Sequence, residues 1–183
     1  MNNKIQNINT IILDVDGVLT DGVMIYGNQG EEFKNFYVRD GKGIALAKIA
    51  GLKVILMTTE KTDLIMSRAK KLGIEKDTYL GIKNKLKCLN EIITKNNLDL
   101  KNIAMVGDDI NDITVLNKVG LPITVGDAVE EVKELVKKRG GFITNKKGGR
   151  GAVREAIEII LKKQGCWEEI VEKDLQRQLN EER

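Results

Sequence analysis

Ile11-Ile12-Leu13-Asp14-Val15-Asp16-Gly17-Val18-Leu19-Thr20 is the stretch whose reading decides the fold. Its three leading apolar residues suit a strand buried on both faces, as in a parallel sheet covered by helices. The strand ends at Asp14. Asp16 follows two residues later, on the same side of an extended backbone, and Gly17 lets the chain turn sharply after the pair. Two carboxylates this close repel each other unless a cation binds or one takes a proton. They read either as a strand closed by an Asx turn with both aspartates solvated, or as a nucleophile beside an acid/base near a hard cation.

Working outward, similar apolar runs recur at residues 53–57, 78–80, 103–106 and 123–125. Helical periods lie between and after them, carried by Leu46, Ile49 and Ala50, by Ile65, Ala69 and Leu72, and by Leu86, Leu89 and Ile93. Ile113 with Leu116, Val132 with Val136, and Val153 with Ile157 and Ile160 continue the series. Strand–helix alternation predicts a doubly wound α/β parallel sheet with right-handed crossovers, which binds ligands at the carboxyl ends of its strands. One segment breaks the rhythm. Residues 22–38, with a turn at Gly27-Asn28-Gln29-Gly30, read as a β-hairpin projecting over the strand ends. Residues 1–165 form the expected domain, without a cap domain, and residues 166–183 a helical tail.

Bulk properties narrow the chemistry. The 183-residue chain has a net charge of +3 spread along its length, which argues for no nucleic-acid and no membrane partner, and with no disulfide framework a cytoplasmic enzyme is the expectation. Cys88 and Cys166 form no close-spaced metal or redox motif. There is no histidine, which excludes imidazole as base or ligand. The single serine, Ser67, stands in a helical stretch. Carboxylates, lysine, arginine, threonine and a metal remain.

A second acidic constellation, Gly107-Asp108-Asp109-Ile110-Asn111-Asp112, follows another buried strand. A helix N-cap explains one or two of these carboxylates but not three. Acidic groups at the ends of two strands of one sheet are what a magnesium site needs. Thr58 ends the second strand and can donate to a phosphate oxygen, while Lys85 opens a helix and can neutralise phosphate charge. Taken singly, Thr58 reads as a cap and Lys85 as a solvated lysine; their order after successive strand ends is what points to a site.

Asp14-x-Asp16, Thr58, Lys85 and Gly107-Asp108-Asp109-x-x-Asp112, in this order, resemble the four motifs of the haloacid dehalogenase superfamily of phosphotransferases over residues 8–165. The resemblance implies Asp14 as nucleophile and Asp16 as general acid/base. It implies Mg2+ held by Asp14, Asp108 and the backbone carbonyl of Asp16, a phosphoryl group held by Thr58 and Lys85, and Asp109 and Asp112 ordering the metal's surroundings. Asp14 to Gly22, Val38-Arg39-Asp40-Gly41 and Gly148 to Glu155 are similar to the cap-less 3-deoxy-D-manno-octulosonate 8-phosphate phosphatases of lipopolysaccharide biosynthesis. That family implies a homotetramer acting on a small phosphorylated sugar acid, with Arg39 and Arg150 as candidates for holding the acid. Glu60, where those enzymes usually carry arginine, is closer to phosphatases of nine-carbon nonulosonate 9-phosphates. A non-catalytic module that assembles with a cytidylyltransferase is the competing reading, and a phosphoacceptor of the response-regulator kind ranks last.

Overall fold

The computed structural model describes residues 2–29 and 32–181; Gly30 and Glu31 of the expected turn lie outside the described residues, as do Met1 and the last two residues of the tail. In chain order the elements are α1 (Asn2–Gln6), β1 (Thr10–Leu13), β2 (Ile25–Tyr26), β3 (Glu32–Phe33), α2 (Val38–Ile49), β4 (Lys53–Met57) and α3 (Asp63–Leu72). They continue with β5 (Thr78–Tyr79), α4 (Lys85–Asn96), β6 (Ile103–Gly107), α5 (Ile113–Leu116), β7 (Leu121–Thr124), α6 (Glu130–Lys138), β8 (Phe142–Ile143), α7 (Ala152–Lys163) and α8 (Trp167–Glu181).

Six strands form one parallel sheet in the order β5-β4-β1-β6-β7-β8. With the hairpin strands set aside, this is the doubly wound arrangement in which the chain moves outward from β1 first one way and then the other. The reversal lies between β1 and β6, where such sheets open a crevice at their carboxyl ends. Leu13 of β1 is level with Leu56 of β4 and Val106 of β6. Asp14, Thr58 and the Asp108 loop therefore emerge side by side.

Strand alternation divides the core. Ile11 and Leu13 face one apolar layer with Ile44, Ile65, Val153 and Ile157 of α2, α3 and α7. Ile12 faces the other, with Leu89, Val115 and Val132 of α4, α5 and α6. All of these side chains are fully buried, and each large one contributes roughly 1.5–3 kcal/mol. Both faces of β1, β4 and β6 are thus covered, as their unbroken apolar runs require.

Some elements differ from the sequence reading. β8 is a sixth strand; its two residues after Gly140-Gly141 are too short a run to stand out from a loop. β7 starts earlier than expected and takes in Pro122. The hairpin has strands of only two residues each, and Val38 is the first residue of α2 rather than the end of the second arm. Tyr37 is extended at that boundary, and Asp40 in the first turn suits the helix dipole. α8 packs on α2 and α7 through Ile170 and Trp167, and Lys42 of α2 pairs with Asp174. Beyond that pairing its face is solvated, with Leu175 and Leu179 exposed.

Candidate active site

The site begins with the loop after β1. The Asp14 N–H donates to the Val106 carbonyl at 3.0 Å, so the residue is held in line with the sheet. Thr20 gathers the turn that follows: its hydroxyl donates to the Val15 carbonyl at 3.3 Å and accepts from the Gly17 and Gly22 N–H groups at 3.4 and 3.3 Å. Gly17 has a φ of +81°, and a Cβ there would lie 2.0 Å from Asp108 Oδ2. Only glycine lets the first acidic loop approach the second this closely.

Asn84 caps α4 by accepting from the Lys87 N–H at 2.9 Å, which places Lys85 in the first turn, directed inward and 4% exposed. Its Nζ lies 2.9 Å from Asp14 Oδ1 and 2.7 Å from Asp112 Oδ1. Asp112 uses its other oxygen to accept the Asp108 N–H at 3.0 Å. Asp112 is fully buried with both oxygens engaged, so it braces Lys85 and the Asp108 loop at once. Asp109 is exposed and caps the short turn that follows, accepting from the Ile110 N–H at 2.7 Å.

Oxygens of Asp14, Asp108 and Asp112 lie within 4.8 Å of one another. Burial, and then the Asp112 charge, push the Asp14 carboxyl up to about 8 against the pull of Lys85. Burial, followed by Asp112 and Asp109, pushes Asp108 up to about 7. Burial disfavours the Lys85 ammonium too, but Asp14 and Asp112 outweigh it and raise its pKa. One lysine does not balance this much negative charge. Asp108 Oδ1 and Asp16 Oδ2 are buried and have no hydrogen-bond partner among the described residues. An all-oxygen donor set with unused lone pairs and excess negative charge fits a hard divalent cation.

Thr58, 1% exposed, anchors the next strand end: its hydroxyl accepts from the Glu60 N–H at 3.1 Å, leaving its own hydrogen to donate. The structure thus brings Asp14, Thr58, Lys85, Asp108 and Asp112 to one sheet edge, with Asp16 beside them. Arg39 and Arg150 meet elsewhere, on a groove of about 1010 Å³ shared with Tyr37, Lys42 and Arg154. The site's carboxylates do not line it, and neither does Glu60, which is half-buried beside Thr58. Arg150 donates to Asp21 at 3.2 Å, which ties the groove to the loop after β1.

Sequence reasoning gave several residues no role of their own. Asp40 is 1% exposed and accepts the Gly151 and Arg154 N–H groups at 3.2 and 2.8 Å, so it caps α7. Asp127 accepts the Gly148 N–H at 2.9 Å, and Gly149 N–H donates to the Val18 carbonyl at 2.9 Å. Together they press the loop before α7 onto the Asp14–Thr20 loop. Lys34 lies 2.7 Å from Asp16 Oδ1 and 3.0 Å from Glu32 Oε1. Burial opposes its charge, yet Asp16 and Glu32 raise its pKa overall. The stretch around it is charged and gave no sign of burial; an unpaired carboxylate at Asp16 was the one available hint.

The family model for haloacid dehalogenase-like hydrolases matches residues 81–157. The 3-deoxy-D-manno-octulosonate 8-phosphate phosphatase KdsC of Salmonella typhi is 43% identical over 166 residues, covering 91% of this chain and 86% of that protein. The 3-deoxy-D-manno-octulosonate 8-phosphate phosphatase of Moraxella catarrhalis, solved with magnesium, phosphate and KDO, superposes with a TM-score of 0.88 at 34% identity. That match covers 94% of this chain and 96% of the other. The cobalt-bound deoxy-D-mannose-octulosonate 8-phosphate phosphatase of Haemophilus influenzae gives 0.84 at 34% identity, covering 90% and 93%.

Proposed function

The chain belongs to the 3-deoxy-D-manno-octulosonate 8-phosphate phosphatases within the haloacid dehalogenase-like hydrolases, and from that membership we propose that it is a magnesium-dependent phosphatase of 3-deoxy-D-manno-octulosonate 8-phosphate. The observation that carries the reading is the buried contact of Lys85 with both Asp14 and Asp112, next to an Asp108 oxygen without a partner. A carboxylate nucleophile needs such surroundings, because it must meet a phosphate dianion without being repelled.

Asp14 attacks phosphorus as the bond to the sugar oxygen breaks, and Asp16 gives that oxygen a proton. The phosphoryl group then rests on Asp14. Water attacks phosphorus, Asp16 takes the water's proton, and the bond to Asp14 breaks to release phosphate and restore both residues. Lys85 and Thr58 hold the phosphoryl oxygens as charge shifts among them. Asp14, Asp108 and the Asp16 carbonyl would hold magnesium, while Asp112 and Asp109 keep the Asp108 loop in place. When bound, magnesium supplies the charge neutralisation that lets carboxylates and phosphate share one crevice.

Arg39 and Arg150 would hold the sugar acid. The carboxylates do not line their groove within one subunit, a separation that a homotetramer with neighbouring chains completing each site would bridge. The hairpin supports this as well, since Val23, Ile25, Tyr26 and Phe33 are about half exposed or more. Among the described residues no helix is long and apolar enough to cross a membrane. The net charge of +3, spread along the chain, supports a reading without nucleic-acid or membrane partners, and the cytoplasm is the setting expected for the reaction.

Glu60 beside Thr58 favours one second reading, a nonulosonate 9-phosphate substrate. Phosphate release from both sugar acids with Mg2+ separates the two: faster release from the eight-carbon acid is expected, and preference for the nine-carbon acid would reassign the substrate. Release from neither would leave the non-catalytic assembly module.

A further inference from the structure

Lys34 belongs to the hairpin, yet its side chain is only 1% exposed. The return arm is fastened to the loop after β1 by the bridge between Thr20 and Phe36 and by Asn35, whose amide donates to Asp21 at 3.3 Å. That fastening delivers Lys34 Nζ to Asp16 Oδ1 at 2.7 Å, with Glu32 Oε1 on the same ammonium at 3.0 Å. Withdrawing an ammonium from water is costly unless carboxylates receive it. Here the two that do so have different duties: Glu32 sits on the arm itself, and Asp16 sits in the site. Asp16 is thereby left with one tethered oxygen and one buried oxygen, Oδ2, that has no partner.

We propose that Lys34 is a positioning residue for proton transfer, fixing the Asp16 carboxylate through Oδ1 so that Oδ2 is the oxygen that carries the proton. This rests on the reading of Asp16 as general acid/base. In the first half-reaction the Oδ2 proton passes to the sugar oxygen as its bond to phosphorus breaks. In the second, Oδ2 takes a proton from water as the water oxygen bonds to phosphorus and the Asp14 bond breaks. Glu32 holds the other side of the ammonium, so the docking of the hairpin sets the aim of a residue that the hairpin does not contain. A purely structural staple would have no such selectivity between the two oxygens or between leaving groups.

Leaving-group dependence separates the two roles. A sugar alkoxide needs a proton to depart, whereas 4-nitrophenolate does not. Lys34→Met keeps the stem and removes the ammonium. With Mg2+, its kcat on the sugar acid phosphate is expected to fall about tenfold to a hundredfold, with KM changed less than about twofold. Single-turnover release of 4-nitrophenolate from 4-nitrophenyl phosphate, which reports attack by Asp14 alone, is expected to stay within about threefold of the unsubstituted chain. Lys34→Arg, which restores a cation, is expected to recover most of the kcat. The inference is overturned if Lys34→Met keeps full kcat on the sugar phosphate, if nitrophenolate release falls equally, or if Lys34→Arg is no better than Lys34→Met. An unsubstituted chain inactive on both substrates defeats the reading of Asp16 and this inference with it. An active chain indifferent to Lys34→Met defeats the inference alone.

Discussion

The Lys85 ammonium donates to Asp112 Oδ1 at 2.7 Å, with 2% and 0% of the two side chains exposed, and from that brace it reaches Asp14 at 2.9 Å. A cation so placed holds two strand-end loops together and offsets the charge of Asp14. Lys85→Met is expected to lower kcat by about 10²–10³-fold. It should also destabilise the fold by about 3–5 kcal/mol near pH 8, and by less near pH 6, where Asp14, titrating at about 8, is already protonated and leaves Lys85 less charge to offset. Urea denaturation at the two pH values, with chelator present, checks this. Equal losses at both would separate Lys85 from Asp14.

The raised carboxyls fix the sign of the pH dependence. Asp14 and Asp108 titrate at about 8 and about 7 when folded, against 3.8 for the free side chain. Between these limits the folded chain binds more protons than the unfolded one. The stability this gives is complete below the unfolded value and is lost as pH rises through about 7 and then about 8. In chelator, Tm is therefore expected to drop from pH 6 towards pH 8.5, apart from the background of the other carboxylates. Asp14→Asn and Asp108→Asn should each flatten the slope. Magnesium competes with the same protons, so its affinity should rise over this range by up to about tenfold per unit of pH for each proton displaced.

Asp112→Asn keeps the shape but supplies only one acceptor oxygen, where Lys85 and the Asp108 N–H now each use one. One donor is left facing the amide NH2. Weakening of magnesium binding by about 10–100-fold is expected, with activity partly regained at high Mg2+. Metal titration by calorimetry or by Tm shift measures it, and unchanged affinity would contradict the bracing role.

Gly17 and Gly51 have nearly the same backbone angle, φ +81° and +80°, but different surroundings. An alanine Cβ at Gly51 meets nothing within 4 Å, whereas at Gly17 it lands on Asp108. Gly51→Ala should cost only the left-handed strain, about 1–2 kcal/mol, and keep magnesium affinity and activity. Gly17→Ala should cost more and lose both. Denaturation curves with and without Mg2+ compare the pair, and equal behaviour would show that the loop approach is not needed.

Most of the sheet, and the strand ends where the candidate site gathers, could be read from the sequence, for one reason. Buried parallel strands advertise themselves as apolar runs, and the candidate residues at their carboxyl ends follow them directly, as at Asp14, Thr58 and Asp108. What stayed hidden depends on contacts between distant segments. Lys34 stands in a charged stretch, where a buried lysine and a solvated one look alike. Asp40 falls at the start of α2, but its partners Gly151 and Arg154 lie 111 and 114 residues away. β8 is two residues long, below the length at which any periodicity can be recognised. Arg39 and Arg150 were paired by resemblance, and their shared groove is a product of the fold rather than of spacing.

The central claim, that Asp14 carries the phosphoryl group, is tested most directly by catching it there. Asp16→Asn should allow attack on an activated phosphate such as 4-nitrophenyl phosphate but slow hydrolysis of the product, for want of a base. Acid quenching of that variant with Mg2+ and 4-nitrophenyl phosphate, followed by peptide mass spectrometry, is predicted to show one phosphoryl group on the peptide containing Asp14, and none when Asp14→Asn is added. A phosphoryl group on another peptide, or persistent turnover by Asp14→Asn at the unsubstituted rate, would contradict the account.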